Sequence, residues 1–520
     1  MNIAENCPII VGVGQVNEAV PSDLNKISSN ADLAAQAANA ALIDAKDLGL
    51  ATHIDTIAFN RIFADSIPNY PAPFGGPKNL PRVLAKRINA NPKRAIYAEV
   101  GGNTPQKLVN EFCESLNDGE AKLVLLVGSE VSKNIRAAVK QAVNLDWSEI
   151  LEENEQLDIE DAGVDLADMI SPLEIQHNID MPALYYALAE NARRASLRQS
   201  SEAYMQDMAD TFSQFSSVAA SNPYANDRTE YDAQFIATTS DQNPLICSPY
   251  TKALVAKESV NQAAAILMTT VKHAKELGID KKKWVYLHGH CDVKDKHFLE
   301  RQELGQSAAL QQVLRGSLAN ANKASSEINY LDIYSCFPIV VTQTRDVLGM
   351  TQDDPRPLTQ TGGLPFFGGP GNNYSMHGIA STVETLRQDP GTFALVLANG
   401  GFLSKFSAGV YSTTKIDQWS ASNSLKYQQA VDNETRTLVD STPRGAAIIE
   451  TYTVHYMKGA PVRAIVIGRL KESAKRFYAA VLADDKPTLQ RLIDEDSIGQ
   501  AILVKSNPEG NRISFTENRV

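Results

Sequence analysis

The sequence predicts an α/β fold, because apolar runs of strand length alternate with stretches that repeat apolar residues at helical spacing. Residues 8–16 form the first continuous apolar run, and an alanine-rich helical pattern follows from Asp32 to Gly49. A second run lies at 122–128. Continuous apolar strands of this kind are typical of a sheet that is covered on both faces. The alternation then resumes at 259–268 and continues with strand-like segments at 284–288, 329–334 and 393–398.

With 520 residues, of which 43% are hydrophobic and 21% charged, the chain is long enough for three or four globular units of ordinary composition. Its net charge of −12 argues against general binding to nucleic acid or to an anionic membrane. No apolar run approaches the roughly 18 residues of a membrane span, and the N-terminus has no signal-peptide pattern. The five cysteines are scattered without a CxxC pair, which favours a reducing compartment. We therefore expect a cytoplasmic protein that has neither membrane nor nucleic acid as a partner.

Changes of composition along the chain predict four regions. A first α/β half spans 1–255 and includes an inserted loop domain at about 131–250, which begins with an acidic stretch and continues with helical patterns. A second half spans 256–415, and a polar linker follows at 416–443. Residues 444–520 alternate short strands with turns around one helical pattern, which is typical of a small OB-like β-barrel domain. This last region has 12 Lys and Arg against 9 Asp and Glu, so it is slightly basic.

A glycine turn precedes one of the predicted helices of the first half. The segment reads Gly101-Gly102-Asn103-Thr104-Pro105, in which Thr104 suits a helix cap and Pro105 suits the first helical turn. Free backbone N–H groups at such a turn favour a carbonyl oxygen or a developing anion. We therefore predict that Gly101, Gly102 and Asn103 contact the substrate. The alternative is an ordinary helix start, which has the same pattern.

A second candidate lies where a predicted strand ends in a polar cluster. Residues 331–338 read Leu-Asp-Ile-Tyr-Ser-Cys-Phe-Pro, and strand ends of this kind present side chains to the cleft of an α/β sheet. Cys336 is a candidate acid or base, provided that its neighbours lower its pKa. Tyr334 is a candidate donor of a proton or a hydrogen bond to an oxyanion. The alternative for the cysteine is a purely structural role.

A third candidate is the loop at 361–377, whose five glycines allow the backbone to approach a ligand closely. The loop matches neither the P-loop pattern nor the dinucleotide-binding pattern, which argues against a nucleotide phosphate loop. His377 lies near the start of the following helix, where the helix N-terminus should keep the imidazole neutral. A structural histidine is the alternative. The predicted ligand contacts in this loop are Gly368, Gly369, Asn372 and Asn373.

Two further segments carry weaker signals. Asn399 and Gly400 leave a predicted strand through another pair of glycines, and we predict a polar catalytic role for Asn399 and a ligand contact for Gly400. His288, His290 and Cys291 lie close together in sequence but lack a standard zinc spacing. We therefore predict no metal site and no resident cofactor.

These segments, in this order, resemble the thiolase superfamily, and most closely the thiolase-like type 1 proteins that are often named acetyl-CoA acetyltransferases. Residues 9–15 are similar to the opening strand of that family. Residues 222–225 and 248–252 are similar to the segments that lead back from its loop domain. The Tyr-Ser-Cys-Phe-Pro sequence at 334–338 and the glycine loop through His377 resemble the type 1 branch, which also has a C-terminal appendage.

The resemblance implies a thiolase fold, in which two βαβαβαββ halves pack as a five-layered α-β-α-β-α sandwich, and coenzyme A or an acyl-CoA as substrate or ligand. It also implies departures from an ordinary thiolase. Gly102 lies near the position of the nucleophilic cysteine, and Tyr334 and Gly369 replace histidines of two further motifs. Asn399 stands near the position of another catalytic cysteine, whereas Cys336 is retained. Acyl transfer through a cysteine at residue 102 is therefore impossible.

The first hypothesis for the function is that the protein is an enzyme of lipid metabolism that acts on acyl-CoA. It would do so by acyl transfer or by cleavage or formation of a C–C bond. The alternatives are a non-catalytic binder of CoA esters or lipids and a retro-aldolase of the thiolase fold. A nucleic-acid-associated protein is the last hypothesis. It requires one exposed face on which three aromatic residues cluster with three arginines, namely Tyr452, Tyr456 and Phe477 with Arg463, Arg469 and Arg476. A monomer and a homodimer both remain open. The catalytic candidates are Cys336, Tyr334, His377 and Asn399.

Overall fold

The computed structural model describes residues 5–67, 72–164 and 169–516. Strands and helices alternate through most of these ranges, as the sequence predicts. The strands are β1 (Pro8–Asn17), β2 (Thr56–Phe59), β3 (Arg94–Tyr97), β4 (Leu123–Glu130), β5 (Glu160–Asp161), β6 (Leu245–Cys247), β7 (Tyr250–Thr251), β8 (Gln262–Thr270), β9 (Val285–Lys294), β10 (Tyr330–Ile333), β11 (Phe393–Gly400), β12 (Lys405–Ser412), β13 (Arg444–Met457), β14 (Ala460–Leu470), β15 (Arg476–Leu482), β16 (Ala501–Asn507) and β17 (Gly510–Phe515).

Not every helix buries an apolar face, but those with the clearest sequence pattern do. The described ranges contain fifteen helices. They are α1 (Asn30–Ala45), α2 (Leu80–Arg87), α3 (Thr104–Asp118), α4 (Ser132–Lys140), α5 (Glu153–Leu157), α6 (Pro172–Gln176), α7 (Pro182–Ser196), α8 (Ser201–Ser221), α9 (Ala233–Ala237), α10 (Val271–Glu276), α11 (Ala308–Asn320), α12 (Pro338–Leu348), α13 (Tyr374–Gln388), α14 (Ser424–Asp432) and α15 (Lys486–Asp494). In the described ranges no helix is both long enough and apolar enough to cross a membrane.

Ten strands form one sheet in the order β10-β11-β12-β9-β1-β8-β4-β2-β3-β5. The order β1-β8-β4-β2 in the first half repeats as β9-β12-β11-β10 in the second, with the same parallel and antiparallel pairs. The two halves join where Ile9 and Ile10 of β1 pair with Tyr286 and Val285 of β9. The chain therefore contains two similarly built α/β halves.

Two helices lie between the halves. Helices α3 and α13 contact each other, and each also contacts strands of both halves. On the outer faces, α1 covers β1, β8 and β4, whereas α11 covers β9 and β12. This gives the five layers that were predicted.

Helix α1 shows how the sequence produces this packing. Ser29 caps the helix, because its hydroxyl accepts a hydrogen bond from the Asp32 backbone at 3.2 Å while the Asp32 carboxylate accepts one from the Ser29 backbone at 2.9 Å. The buried alanines of α1 allow β1 to approach so closely that a Cβ atom on Gly12 would lie 2.9 Å from the Ala45 methyl group. The helix ends at Ala45, four residues before the predicted stop.

The helices α7 and α8 of the loop domain pack on the second half, whereas its first part packs on the first half, where Val131 and Leu151 are buried. The apolar faces of α7 and α8 share one core with the strands of the second half and with part of the C-terminal region. At its other side, β5 pairs with the outer edge of β3.

The C-terminal region contains five antiparallel strands in the order β15-β14-β13-β16-β17, with α15 between β15 and β16. The alternation of short strands around one helix that the sequence predicts for 444–520 is present. The loop-domain strand β6 pairs with β13, so the two regions share hydrogen bonds. The assignment of the five strands to the OB type stays a prediction.

The stretch predicted as a linker is folded. It contains α14, which packs on α11 and β9, and its Trp419 and Val431 side chains are buried. Most side chains of this stretch are polar, so its composition resembles that of a linker. Only a few of its side chains make the contacts that pack it against the rest of the protein.

Candidate active site

Two glycine turns, one from each half, meet backbone to backbone. Gly102 lies just before α3, and Gly400 ends β11. A Cβ atom on Gly400 would lie 2.8 Å from the backbone nitrogen of Gly102, which is closer than real Cβ atoms approach. The Ser375 hydroxyl, at the start of α13, donates to the Gly102 carbonyl oxygen at 2.6 Å. The predicted helix start at Gly102 therefore lies at the junction of the two halves.

Tyr334 occupies the space beside Gly102. A Cβ atom on Gly102 would lie 2.7 Å from Cζ of Tyr334 and 2.5 Å from the backbone oxygen of Asn399. The Tyr334 ring packs edge-on against Tyr374, with 5.4 Å between the ring centroids. Burial, followed by the proximity of Cys336 and Tyr374, raises the pKa of Tyr334 well above its usual value. The phenol is therefore protonated at neutral pH, and residue 102 has no room for a side chain.

Cys336 and Asn399 lie together, and Tyr186 completes a cluster of three. The Asn399 amide nitrogen donates to the Tyr186 hydroxyl at 2.7 Å and lies 3.6 Å from Sγ of Cys336. Burial raises the pKa of Cys336 to about 12, although hydrogen bonds with Tyr186 and Asn399 act in the opposite direction. The lowered pKa that was the condition for an acid or base role of Cys336 is therefore not found. Its thiol keeps its proton at neutral pH and is a poor nucleophile.

Tyr186 was not predicted as a site residue. It lies on α7 in the loop domain, 213 residues before Asn399, and its ring stacks on Phe337 at 4.4 Å. Its hydroxyl also accepts a hydrogen bond from the Leu403 backbone at 2.9 Å, in the turn between β11 and β12. The sequence indicates the helix but contains no signal that this tyrosine faces a distant strand end.

His377 lies on α13, and its hydrogen bond is with Gln15 of the first half and not with Cys336, Tyr334 or Asn399. Its Nδ1 is 2.9 Å from the side-chain oxygen of Gln15, so Nδ1 carries the proton and donates. Burial lowers the pKa of His377 to about 3. The neutral imidazole is as predicted, but the cause is burial and not the helix N-terminus. Among the described residues Nε2 has no hydrogen-bond partner.

The asparagines of the glycine loop bond to the protein itself. The Asn372 oxygen accepts from the Gly101 backbone at 3.2 Å, and its nitrogen donates to the Arg61 carbonyl and the Ser66 hydroxyl at 2.8 Å each. Asn373 is also buried, and its side-chain oxygen accepts a hydrogen bond from the first half. These bonds tie the loop to the first half of the molecule.

The remaining predicted contacts are enclosed by protein atoms. Asn103 donates to the Ser407 hydroxyl at 3.3 Å. Gly368 packs so closely on Gln262 that a Cβ atom there would lie 2.6 Å from the Gln262 side-chain oxygen. Gly369 has more room, because a Cβ atom there would come no closer than 3.4 Å to its neighbours.

A cavity of about 220 Å³ opens beside the turn between β11 and β12. Tyr185, the neighbour of Tyr186, lines it together with Ser404. Its charged lining includes more basic than acidic side chains, namely Lys294, Lys296, Lys405 and Arg436 against Asp295 and Glu300. Within the described ranges no three His, Cys, Asp or Glu residues are grouped so that they could hold a metal ion.

The aromatic residues that a nucleic-acid surface requires are not exposed. Phe477 is buried, and the half-buried Tyr452 donates to the Glu495 carbonyl at 2.9 Å. Arg469 and Arg476 both pair with Glu450. The stacking surface on which the nucleic-acid reading depends is therefore absent from the described part of the C-terminal region.

Comparisons with known proteins agree with this architecture. A family model described as the thiolase-like protein type 1 additional C-terminal domain matches residues 426–509. A search of curated proteins finds no match. Among solved structures, human mitochondrial 3-ketoacyl-CoA thiolase is 16% identical, with a TM-score of 0.54, over 78% of this chain and 99% of that chain. The Ltp2-ChsH2(DUF35) aldolase is 17% identical, with a TM-score of 0.56, over 79% of this chain and 98% of that chain. These two likenesses show the fold alone.

A third structure is much more similar. It is a monomeric SCP2-thiolase-like protein type 1 from Mycobacterium smegmatis, which is 37% identical with a TM-score of 0.84. The match covers 98% of this chain and 99% of that chain. The predicted thiolase fold with an added C-terminal domain is thereby confirmed, and the chain belongs to the SCP2-thiolase-like protein type 1 family.

Proposed function

We propose that the protein is an acyl-CoA-handling enzyme that breaks or forms a carbon–carbon bond next to a CoA thioester without an acyl-enzyme intermediate. The observation that carries this proposal is the contact between Gly102 and Tyr334. Where the thiolase resemblance expects a nucleophilic sulfur, the site has a protonated phenol. The thiol of Cys336 is also protonated, so the site offers proton donors rather than a nucleophile.

Proton donors are what an enolate requires. In the cleavage of a 3-hydroxyacyl-CoA, the C2–C3 bond breaks and its electron pair forms the enolate of the thioester. The 3-hydroxyl loses its proton as the new carbonyl forms, and C2 then gains a proton, so no free CoA is consumed. Tyr334 and Cys336 would stabilise the enolate oxygen by hydrogen bonding and return the proton to C2. Because burial lowers the pKa of His377 to about 3, this imidazole is a weak base, and we assign the 3-hydroxyl proton to water, which also restores the proton of Tyr334 or Cys336 after C2 is protonated.

Two further observations support this substrate class. The basic lining of the cavity beside Tyr185 suits a phosphate-bearing ligand such as CoA. One structural relative is titled an aldolase, and another is a 3-ketoacyl-CoA thiolase solved in complex with CoA. Because the relative from Mycobacterium smegmatis is titled monomeric and β5 occupies the outer edge of β3, we also propose a monomer.

The first test is to incubate the protein with 3-hydroxyacyl- and 3-oxoacyl-CoAs, with and without free CoA, and to analyse products and protein by mass spectrometry. Cleavage without free CoA and without a protein adduct is expected. Cleavage that requires free CoA and leaves an acyl group on Cys336 would instead show a thiolase that uses this cysteine. Retention of an ester without cleavage would show a non-catalytic binder.

The second test compares two cysteines. Cys336→Ala and Tyr334→Phe should each lower turnover by about 10²–10⁴-fold, because each removes a proton donor. Affinity for the CoA ester should remain nearly unchanged. Cys291→Ala is the matched control, since Cys291 is also buried, has its pKa raised by burial to about 12 and lies on β9 beside Gly316. Unchanged turnover in Cys336→Ala would remove this residue from the mechanism.

A further inference from the structure

A row of three cationic side chains crosses the outer face of the C-terminal region. Arg444 of β13 lies directly opposite Lys505 of β16, and Lys505 lies directly opposite Arg512 of β17. Like charges in directly opposed positions destabilise an antiparallel pair. Among the described residues none of the three forms an ion pair with a carboxylate, and Arg512 donates instead to the carbonyl oxygens of Glu509 and Asn511. The arrangement therefore costs stability without a compensating contact inside the described structure.

An apolar row runs beside the cationic one. Two residues further along the strands, Leu503 lies opposite Ala446 and is 47% exposed. Ile448, which pairs with Ala501, continues this row and is 38% exposed. The three cationic residues and Leu503 line a groove of about 430 Å³. We call this surface the β13–β16–β17 face.

The described parts of the chain cover the other strands of the C-terminal region but not the β13–β16–β17 face. On β14 and β15, the outward residues Ile465, Ile467 and Tyr478 pack into the core shared with the loop domain and the second half. The second part of β13 bonds to the loop domain, where the Thr451 and Thr453 hydroxyls donate to its carbonyl oxygens at 2.7 Å each. The face with the two rows lies outside these contacts.

We propose that the β13–β16–β17 face docks an acidic, amphipathic helix of a partner protein. Neighbouring strands are about 4.8 Å apart, so the three cations span about 10 Å across the strands. Acidic residues at positions i, i+4 and i+7 of a helix span about the same distance, because each turn rises about 5.4 Å. Apolar residues on the adjacent helix edge would then cover Leu503 and Ala446. Nucleic acid and anionic membrane are less compatible, because residues 1–443 carry a net charge of about −15.

The test measures binding and not turnover, so its outcome is independent of the proposed function. The probe is a fluorescent helical peptide with three Glu residues along one edge and Leu residues along the next, added to the full-length protein. Saturable binding that weakens with added salt is expected. Lys505→Glu should weaken it at least tenfold and Leu503→Ser at least threefold. Lys486→Glu, an exposed change on α15, is the matched control and should leave the affinity unchanged.

Four results would overturn the proposal. They are the absence of saturable binding, an affinity that Lys505→Glu does not change, equal weakening by Lys486→Glu, and stronger binding of single-stranded DNA or anionic vesicles than of the peptide at the same salt concentration. Circular dichroism of each variant verifies that an altered affinity does not reflect unfolding. Lys505 and Leu503 are exposed, so neither change removes a buried contact.

Discussion

At residue 102, the choice between glycine and a larger side chain is decided by Tyr334 and by the Asn399 carbonyl. Because both lie where a Cβ atom would be placed, we expect Gly102→Ala to destabilise the protein by about 1–3 kcal/mol, the usual cost of overpacking. Gly369→Ala is the matched control, since a Cβ atom there meets only contacts of 3.4 Å or more. Urea denaturation measures both. Equal stability of the two variants would show that the backbone at residue 102 can move away from Tyr334.

The contact between Gly102 and Tyr334 was predictable from the sequence only in part. Each residue departs from a thiolase motif, and each departure is readable in the sequence alone. Tyr334 fills the space that a side chain at residue 102 would need. This contact depends on how two distant segments approach each other, which no local sequence pattern specifies. The same reason explains why Tyr186 was missed and why the polar groups of Asn372 were assigned to a ligand although they bond to the protein.

Helix α7 carries a second buried polar group, one turn after Tyr186. The carboxylate of Glu190 accepts hydrogen bonds from the hydroxyls of Tyr204 and Tyr250, the latter at 2.7 Å. Burial raises the pKa of Glu190 from 4.5 to about 7, although both hydrogen bonds act in the opposite direction. The Tyr250 ring lies 5.2 Å from Phe337, the residue after Cys336, so this group supports the wall of the candidate site.

Glu190 makes the stability of the protein depend on pH. Below about pH 4.5 both the folded and the unfolded carboxyl are protonated. Between pH 4.5 and 7 only the folded state keeps the proton, so the free energy of unfolding falls as the pH rises. The total loss is about 3 kcal/mol and is complete above pH 7.

Glu190→Gln resembles the protonated form, so it should abolish this loss. The difference in unfolding free energy between Glu190→Gln and the parent protein should therefore change by about 3 kcal/mol between pH 4.5 and 8 in favour of the variant. Denaturant titrations at several pH values measure this difference. Glu202→Gln, on the exposed start of α8, is the control and should show no such change. A pH-independent difference for Glu190→Gln would mean that the buried carboxyl is ionised throughout.

Secondary-structure elements were predictable from the sequence where many of their own residues are buried, because burial produces a readable apolar pattern. The strands β1, β4 and β11 are buried on both faces and read as continuous apolar runs, and α1 shows its cap and its alanine face. Helix α14 and the packed stretch around it were not predictable. Trp419 holds that stretch by donating its indole N–H to the Leu287 carbonyl at 3.1 Å, a contact made by one side chain in a polar sequence.

At the scale of the whole molecule, the C-terminal domain is packed into the thiolase-fold body. The buried Arg476 guanidinium donates to the carbonyl oxygens of Leu299, Arg301 and Gln302, and it pairs with Glu450. The sequence predicted a linker at 416–443 before this domain. The structure shows instead that the connection is packed and that strand pairing with β6 adds further bonds.

This integration predicts that the protein unfolds in one step. Residues on β14 alternate between two cores: Val466 faces the core of the C-terminal domain, whereas Ile467 faces the core shared with the loop domain and the second half. If the domains are one cooperative unit, Ile467→Ala and Val466→Ala should both lower the temperature of a single calorimetric transition, each costing about 1–4 kcal/mol. A C-terminal domain that folded separately would give two transitions, and Val466→Ala would then move only one of them. One transition that both variants shift would show that the candidate site depends on the added domain for its stability.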